Sequence, residues 1–306
     1  MTTMLTIERG DASLGAKVTG VDLARPLSES DFAAVLRALG EHGVLCFPNQ
    51  PIDAAALRRF SARFGELQVI SSAKGRTEPA MPEVSILSNV IENGRLIGIP
   101  DAGQDWHTDM TYNRVVGFVN VLVAHKVPVR DGRVLGATEF ANTQAAYEGL
   151  PERIKQKLAD ATATHDWNNF HELMRSKGSK RPALTDEQRR ERPPVSHPLF
   201  LTHPITGRKV IYVNPGFTVK INELDDVESR ETLDFLFKHV LERRYRYVHQ
   251  WSVGEVLVWD HIGTWHYAVP DYAPHEHRLM KRCQVLADRI FDPQFVRAAL
   301  GERTAA

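Results

Sequence analysis

The run Gln104-Asp105-Trp106-His107-Thr108-Asp109-Met110 carries an imidazole and a carboxylate two residues apart. On an extended backbone, residues i and i+2 share a face. His107 and Asp109 can therefore reach one metal ion without unusual geometry. Alone the pair is weak evidence: in a chain with 13 His, about one such spacing arises by chance. A hydrogen-bonded His–Asp pair at a strand end explains it as well. Toward the other end, Trp259-Asp260-His261-Ile262-Gly263-Thr264-Trp265-His266-Tyr267-Ala268 brings in a second His from a strand, and Arg278 and Arg282 follow where the next strand should lie. His107, Asp109 and His266 together make the pattern of a two-His-one-carboxylate facial triad. Such a triad on octahedral Fe(II) leaves positions open for a chelating 2-oxo acid and for O₂. The far carboxylate of 2-oxoglutarate then needs a fixed cation, and arginine offers permanent charge and a planar bidentate fork. Ligand count does not name the metal, because catalytic zinc also keeps three protein ligands.

The elements that must position these groups can be read in outline. A strand is expected at Leu5–Arg9. A helix follows over Glu29–Glu41, with Phe32, Val35, Leu36 and Leu39 at i, i+3, i+4 and i+7. Val44–Phe47 reads as a buried strand ended by Pro48, and Asp53 as the cap of a helix carrying Leu57, Phe60 and Phe64. Val84–Leu87 is a predicted strand, and Glu92-Asn93-Gly94-Arg95 a hairpin turn. Gly117–His125, rich in Val and poorly alternating, predicts a strand buried on both faces. Arg130–Gly136 reads as a loop, and Ala145–Leu150 and Glu152–Ala163 as helices. Strands are expected again at Val210–Val213, Tyr245–His249 and Val256–Trp259, with a helix at Glu228–Leu241. Ser176–Pro194 is charged, Pro-bearing and poor in apolar residues: either a solvated excursion or a lid over a site.

Composition narrows the class. A chain of 306 residues can bury a large core, as one big domain or two small ones. Lys+Arg and Asp+Glu are both 38, so no net charge drives binding to nucleic acid or membrane. The start lacks the apolar core of a signal peptide, and no apolar run is long enough to span a bilayer. Cys46 and Cys283 give neither a disulfide framework nor a C-x-x-C knuckle. A reduced, cytoplasmic setting is expected.

The chain resembles the taurine/chlorophenoxyacetate dioxygenase (TauD/TfdA) family of Fe(II)- and 2-oxoglutarate-dependent oxygenases over nearly its whole length. The matching pieces, in order, are Gly15-Ala16-Lys17-Val18-Thr19-Gly20-Val21-Asp22-Leu23, Phe64-Gly65-Glu66-Leu67, Trp106-His107-Thr108-Asp109, Ala137-Thr138-Glu139-Phe140 and Ala145-Ala146-Tyr147. His203 through Lys209, Asn214-Pro215-Gly216-Phe217-Thr218 and Trp259-Asp260 through Ala268 complete the set. The resemblance implies a mostly β chain with flanking helices, a double-stranded β-helix or jelly roll. It implies a single domain over residues 1–306, in which 166–196 is the candidate lid excursion left open by its composition.

The same resemblance implies roles. His107, Asp109 and His266 match the iron ligands. Thr138 and Arg278 match the residues that hold the cosubstrate, and Arg282 matches an arginine facing an anionic group of the substrate. Ile70, Trp167 and Phe217 fall at substrate-pocket positions, although Thr138 also reads as an ordinary strand residue and the two aromatics as core. The implied reaction oxidatively decarboxylates 2-oxoglutarate to succinate and CO₂ with O₂ and hydroxylates a small substrate. Asp109 argues against a halogenase variant, which leaves that position vacant. The sequence departs from the family in two places. Taurine-using members carry a sulfonate-binding His shortly after Phe-Gly-Glu-Leu, where this chain reads Gln68-Val69-Ile70-Ser71. The expected substrate is therefore a carboxylate or sulfonate other than taurine, in an enzyme expected to be a homo-oligomer. After Trp259-Asp260 the family usually has Asn; here His261 is expected at the surface. Trp265 either narrows the pocket or packs outward. A zinc hydrolase using the same triad, or a non-catalytic jelly-roll metal-binding or sensor protein, are the rival classes.

Overall fold

A computed structural model describes residues 4–69, 76–178 and 182–300. Its large sheet has eight strands, in the spatial order Thr6–Arg9, Ala16–Thr19, Val44–Phe47, Val256–Asp260, Gly117–Lys126, Leu279–Leu286, Met81–Ser88 and Thr77–Glu78. A smaller sheet places Thr138–Asn142 between Arg246–His249 and Thr264–Ala268. A third places Thr162–His165 between Val195–Pro198 and Thr218–Ile221. The large and small sheets with helices outside are the jelly roll expected of a mostly β chain.

Period-2 alternation decides which side chains reach the interior between the sheets. Along Gly117–Lys126, Val119, Val121 and Val123 join the core beneath the helices, while Leu122 and Ala124 join the core that also holds Phe140 of the small sheet. Asn120 shares that second face. In Leu279–Leu286, Cys283 and Val285 turn to the helices and Met280 to the interior, so Arg282 and Gln284 point inward as well. The Val-rich strand is thus covered on both sides, as its composition implied.

The outer layer follows from local rules. Ser28 accepts from Asp31 N to start the helix Glu29–His42, and Gly43 at φ 65° ends it. Asp53 accepts from Ala56 N to start Ala54–Ser61. Their apolar faces place Phe64, 1% exposed, edge-on to Phe32, Phe60 and Phe118 at centroid distances of 5.0, 5.4 and 6.2 Å. The Asn93-Gly94 turn closes its hairpin with φ values of 50° and 76°.

Three expectations need correction. The helix begun at Glu152 ends at Lys157, and Thr162–His165 is a strand, because buried Ala161 and Ala163 alternate with half-buried Thr162 and Thr164 at period 2 into a second core. The Arg130–Gly136 loop contains a small hairpin, Val129–Arg130 with Arg133–Val134. It is turned by Asp131-Gly132 at φ 51° and 76°, the Asp-Gly counterpart of the Asn-Gly turn. The Ser176–Pro194 stretch is not all excursion: Asp186–Glu191 is a helix started by a Thr185/Gln188 capping box, preceded by the helix Trp167–Ser176.

Replacing Phe64 with Ala should cost about 3–5 kcal/mol. Equilibrium urea unfolding should show this as a lowered midpoint; an unchanged midpoint would mean the four-ring cluster contributes nothing to the core.

Candidate active site

His107 and His266 face each other across an antiparallel backbone bridge: His107 N donates to His266 O at 3.1 Å and His266 N to His107 O at 2.8 Å. Their rings lie with centroids 4.1 Å apart. Immediately after His107 the chain turns, with Met110 at φ 64° and its side chain fully buried. Asp109 stands at the start of this turn rather than in a continuous strand. Asp109 Oδ1 is 3.4 Å from His107 Nε2, and Oδ2 is 3.6 Å from His266 Nε2. One donor atom from each residue falls within a set spanning at most 4.8 Å. Two imidazoles and one carboxylate on one side of a common point are a fit for a facial metal site with open positions.

Hydrogen bonds outside the triad fix its orientation. His107 Nδ1 meets Asp105 O at 2.7 Å, which aims Nε2 at Asp109. Asn120 Nδ2 donates to Asp109 Oδ2 at 3.3 Å, and Arg282 Nη1 approaches the same oxygen at 3.5 Å. Burial opposes the charge of Asp109, but the hydrogen bond from His107 and the positive charge of Arg282 outweigh it. The carboxyl stays ionised well below the usual range. Burial, followed by His107, pushes the His266 imidazolium well down, so His266 is neutral and its nitrogen free to ligate.

The turn before His266 is built on Asp260. Its carboxylate accepts from Ile262 N (2.9 Å), Gly263 N (2.6 Å) and His203 Nε2 (3.0 Å). His203 Nδ1 in turn accepts from Ile205 N and Thr206 N, which leaves Nε2 as the donor. Two sequence motifs of unassigned purpose thus turn out to be one buried brace. A side chain at Gly263 would put its Cβ 2.7 Å from Asp260 Oδ2, so this position needs glycine.

The brace also corrects the placement of His261. It was expected at the surface and is fully buried, with neither ring nitrogen hydrogen-bonded among the described residues. Its N donates to Phe118 O, and the ring stands 5.9 Å from that of His266. Burial brings its pKa down to about 4, so it sits beside the triad as a neutral ring. Trp265, one residue before His266, projects to the opposite face and packs 5.8 Å from Phe237 in the outer core.

Thr138 lies opposite Ala268 in the small sheet and its Oγ1 accepts from Trp251 Nε1 at 3.0 Å. Arg278 is 6% exposed, its backbone gripped by Asn89 Oδ1 and Ser88 Oγ, and its side chain lies against Gly136, two residues before Thr138. Its Nε has no hydrogen-bond partner, and no carboxylate among the described residues lies within 4.0 Å of its guanidinium. A buried cation without an anion is costly. The position suits the carboxylate of a bound acid.

A cavity of about 370 Å³ opens onto His107 and Asp109. Trp167 and Phe217 line it, as does Arg282. Phe217 is held by Asn214, whose Oδ1 accepts from Phe217 N at 2.9 Å. Ile70 lies outside the described residues. Sequence reasoning missed Arg76, Tyr112 and Phe170 on the cavity wall. Phe170 follows Trp167 by three residues on one helix, a spacing that could have flagged it. No local signal marks Arg76.

Comparison with known proteins agrees with this geometry. Residues 6–284 match the family described as taurine catabolism dioxygenase TauD, TfdA family. Pentalenolactone F synthase from Streptomyces avermitilis is 30% identical, covering 92% of this chain and 94% of that protein. An alpha-ketoglutarate-dependent 2,4-dichlorophenoxyacetate dioxygenase from Cupriavidus pinatubonensis is 27% identical over 90% and 95%. Among solved structures, AAD-2 in complex with Mn(II) and N-oxalylglycine is similar with TM-score 0.75 and 25% identity, covering 92% of this chain and 97% of that one. Fold and site define a non-haem Fe(II)- and 2-oxoglutarate-dependent dioxygenase. The chain belongs to the TauD/TfdA family. No helix among the described residues is long and apolar enough to cross a membrane.

Gly216 touches this site without taking part in it: an added Cβ would lie 2.8 Å from His107 Cβ. Because the His107 backbone is bridged and cannot give way, Gly216→Ala should displace the imidazole and weaken metal binding by about tenfold or more, the size seen when supporting groups are lost. Calorimetric Mn(II) titration checks this; unaltered affinity would show that His107 is free to move.

Proposed function

We propose that His107, Asp109 and His266 hold the ferrous ion, that Arg278 and Thr138 hold 2-oxoglutarate, and that the chain hydroxylates a small organic anion other than taurine. The observation that carries this reading is the pairing of a three-donor site, open on one side, with a buried arginine that lacks an anion. When bound, Fe(II), 2-oxoglutarate and O₂ supply the oxidation, giving succinate, CO₂ and a hydroxylated substrate. The protein's own residues bind, orient and exclude water. Arg278 receives the far carboxylate through a bidentate pair in a buried site. Thr138 Oγ1, already accepting from Trp251, keeps its own proton to donate to the same group.

The substrate side is apolar with cations at its margin. Trp167, Phe170 and Phe217 form an aromatic wall, with Phe170 and Phe217 rings 4.5 Å apart. Arg282 is shared with Asp109, whereas Arg76 lines the cavity with no ion-pair partner among the described residues. Such a wall fits a carboxylate or sulfonate with an aromatic or aliphatic body. Taurine would leave much of the cavity unfilled. The relatives support the breadth of this class, being named for pentalenolactone F and 2,4-dichlorophenoxyacetate. We further infer that the chain works as one domain and that the described residues within 166–196, among them Trp167, Phe170 and Leu184, form the cavity's roof. Its helix Trp167–Ser176 is tied down by Lys177 Nζ, 2.5 Å from Asp105 Oδ2 on the approach to His107.

Anaerobic addition of Fe(II) and 2-oxoglutarate should raise a visible metal-to-ligand charge-transfer band, absent in His266→Ala. Failure of the band in the wild type would sink the assignment. Arg278→Gln removes a charge-assisted pair worth about 1.5–3 kcal/mol, so KM for 2-oxoglutarate should rise by about 10–100-fold. Arg282→Leu should raise KM for an anionic substrate, measured by succinate release. An unchanged KM would take Arg282 out of substrate binding.

A further inference from the structure

We propose that Cys46, His249 and Glu255 form a second metal site, separate from the triad and suited to zinc or a similar divalent ion. One donor atom from each falls within a set spanning at most 4.8 Å. Cys46 Sγ is 3.6 Å from Glu255 Oε2, and His249 Nε2 is 2.6 Å from Glu255 Oε1. Tyr247 OH lies 3.1 Å from His249 Nδ1, which turns Nε2 toward the carboxylate, as outer partners of metal-bound imidazoles do. None of the three residues lines the catalytic cavity.

Charge and donor type favour an ion here. Glu255 is 5% exposed, yet no Lys or Arg among the described residues comes within 4.0 Å of it. A buried carboxylate needs a compensating positive charge. The side chains that reach this carboxylate are the His249 imidazole and the Cys46 thiol, and a cation held among the three would supply the charge. One sulfur, one nitrogen and one oxygen donor suit a borderline ion, with bonds of about 2.0–2.3 Å, and disfavour calcium or magnesium, which take oxygen ligands. The Cys46–Glu255 spacing already fits such a centre. The His249–Glu255 pair must open by less than about 1 Å, within reach of a small Glu255 rotation. Cys46 is only partly buried, which gives the ion a route in and a fourth position for water.

The placement makes the ion a cross-link. Cys46 belongs to Val44–Phe47 of the large sheet, and His249 ends Arg246–His249 of the small one. Glu255 directly precedes the large-sheet strand Val256–Asp260. His249 is the register partner of Thr138, and its ring stands 5.1 Å from that of Trp251, which bonds Thr138. Binding releases the thiol proton and joins both sheets behind Thr138.

The test uses the full, untagged, metal-stripped chain titrated anaerobically with Co(II), which replaces zinc and reports thiolate ligation by an intense near-ultraviolet charge-transfer band. The triad contains no sulfur and cannot produce that band. The expected result is two Co(II) per chain, one with the thiolate signature. That signature should persist in His107→Ala, disappear in Cys46→Ser and yield to added zinc. Circular dichroism confirms that each variant is folded; should Cys46→Ser not fold, Glu255→Gln takes its place and should weaken the signal. A wild-type chain with no thiolate band in excess Co(II), or a band that survives in folded Cys46→Ser, overturns the proposal. Neither result bears on the triad, whose own test reads a different band.

Discussion

The structure depends on a two-hydrogen-bond bridge between His107 and His266. These residues are far apart in sequence, and neither could be placed against the other by its own element alone. Once their backbones exchange hydrogen bonds, the two imidazoles stand side by side, and Asp109, at the start of the turn that follows, reaches both. Around the bridge the two sheets serve as walls. The small sheet carries His266 and Thr138 on adjacent strands, while the large one sends in Asn120, Arg282 and Gln284.

Buried charge organises the rest. Asp260 is satisfied by two backbone amides and His203, and this fixes the turn from which His266 departs. Asp109 keeps its charge because His107 hydrogen-bonds it and Arg282 lies beside it. Arg278, by contrast, is buried with no anion beside it. The protein thus places one cation at a cost that a bound acid would offset. In the enzyme class to which the chain belongs, the cosubstrate is such an acid.

The cavity wall is divided along the same lines. Its aromatic part comes from the helix Trp167–Ser176 and the Asn214–Thr218 loop, which pack Phe170 against Phe217 and both near His107. Apolar contact sets shape without strong chemical selection, while the cations at its edge set charge. Relatives named for chemically different small molecules share this family.

Much of the fold was legible before any coordinates, because its signals are local. The 3.6-residue spacing of Phe32, Val35, Leu36 and Leu39 has one stable reading, as does Asn93-Gly94 between strands. Where local signals are mixed the sequence misleads: the helix starting at Glu152 reads on through the strand Thr162–His165, Arg130–Gly136 reads as loop although Asp131-Gly132 turns a hairpin, and the charged run Ser176–Pro194 hides the helix Asp186–Glu191. Residue types and order pointed to His107, Asp109 and His266 with an arginine following, and the family resemblance added Thr138 and singled out Arg278. The sequence alone supplied these candidate side chains, the helix caps and the Asn93-Gly94 turn. Only the tertiary structure decided that His261 is buried, that Trp265 faces outward, that His203 braces Asp260, and that Arg76 reaches the cavity. Each of those depends on which distant backbone lies alongside, and that is set by long-range strand pairing rather than by any neighbouring residue.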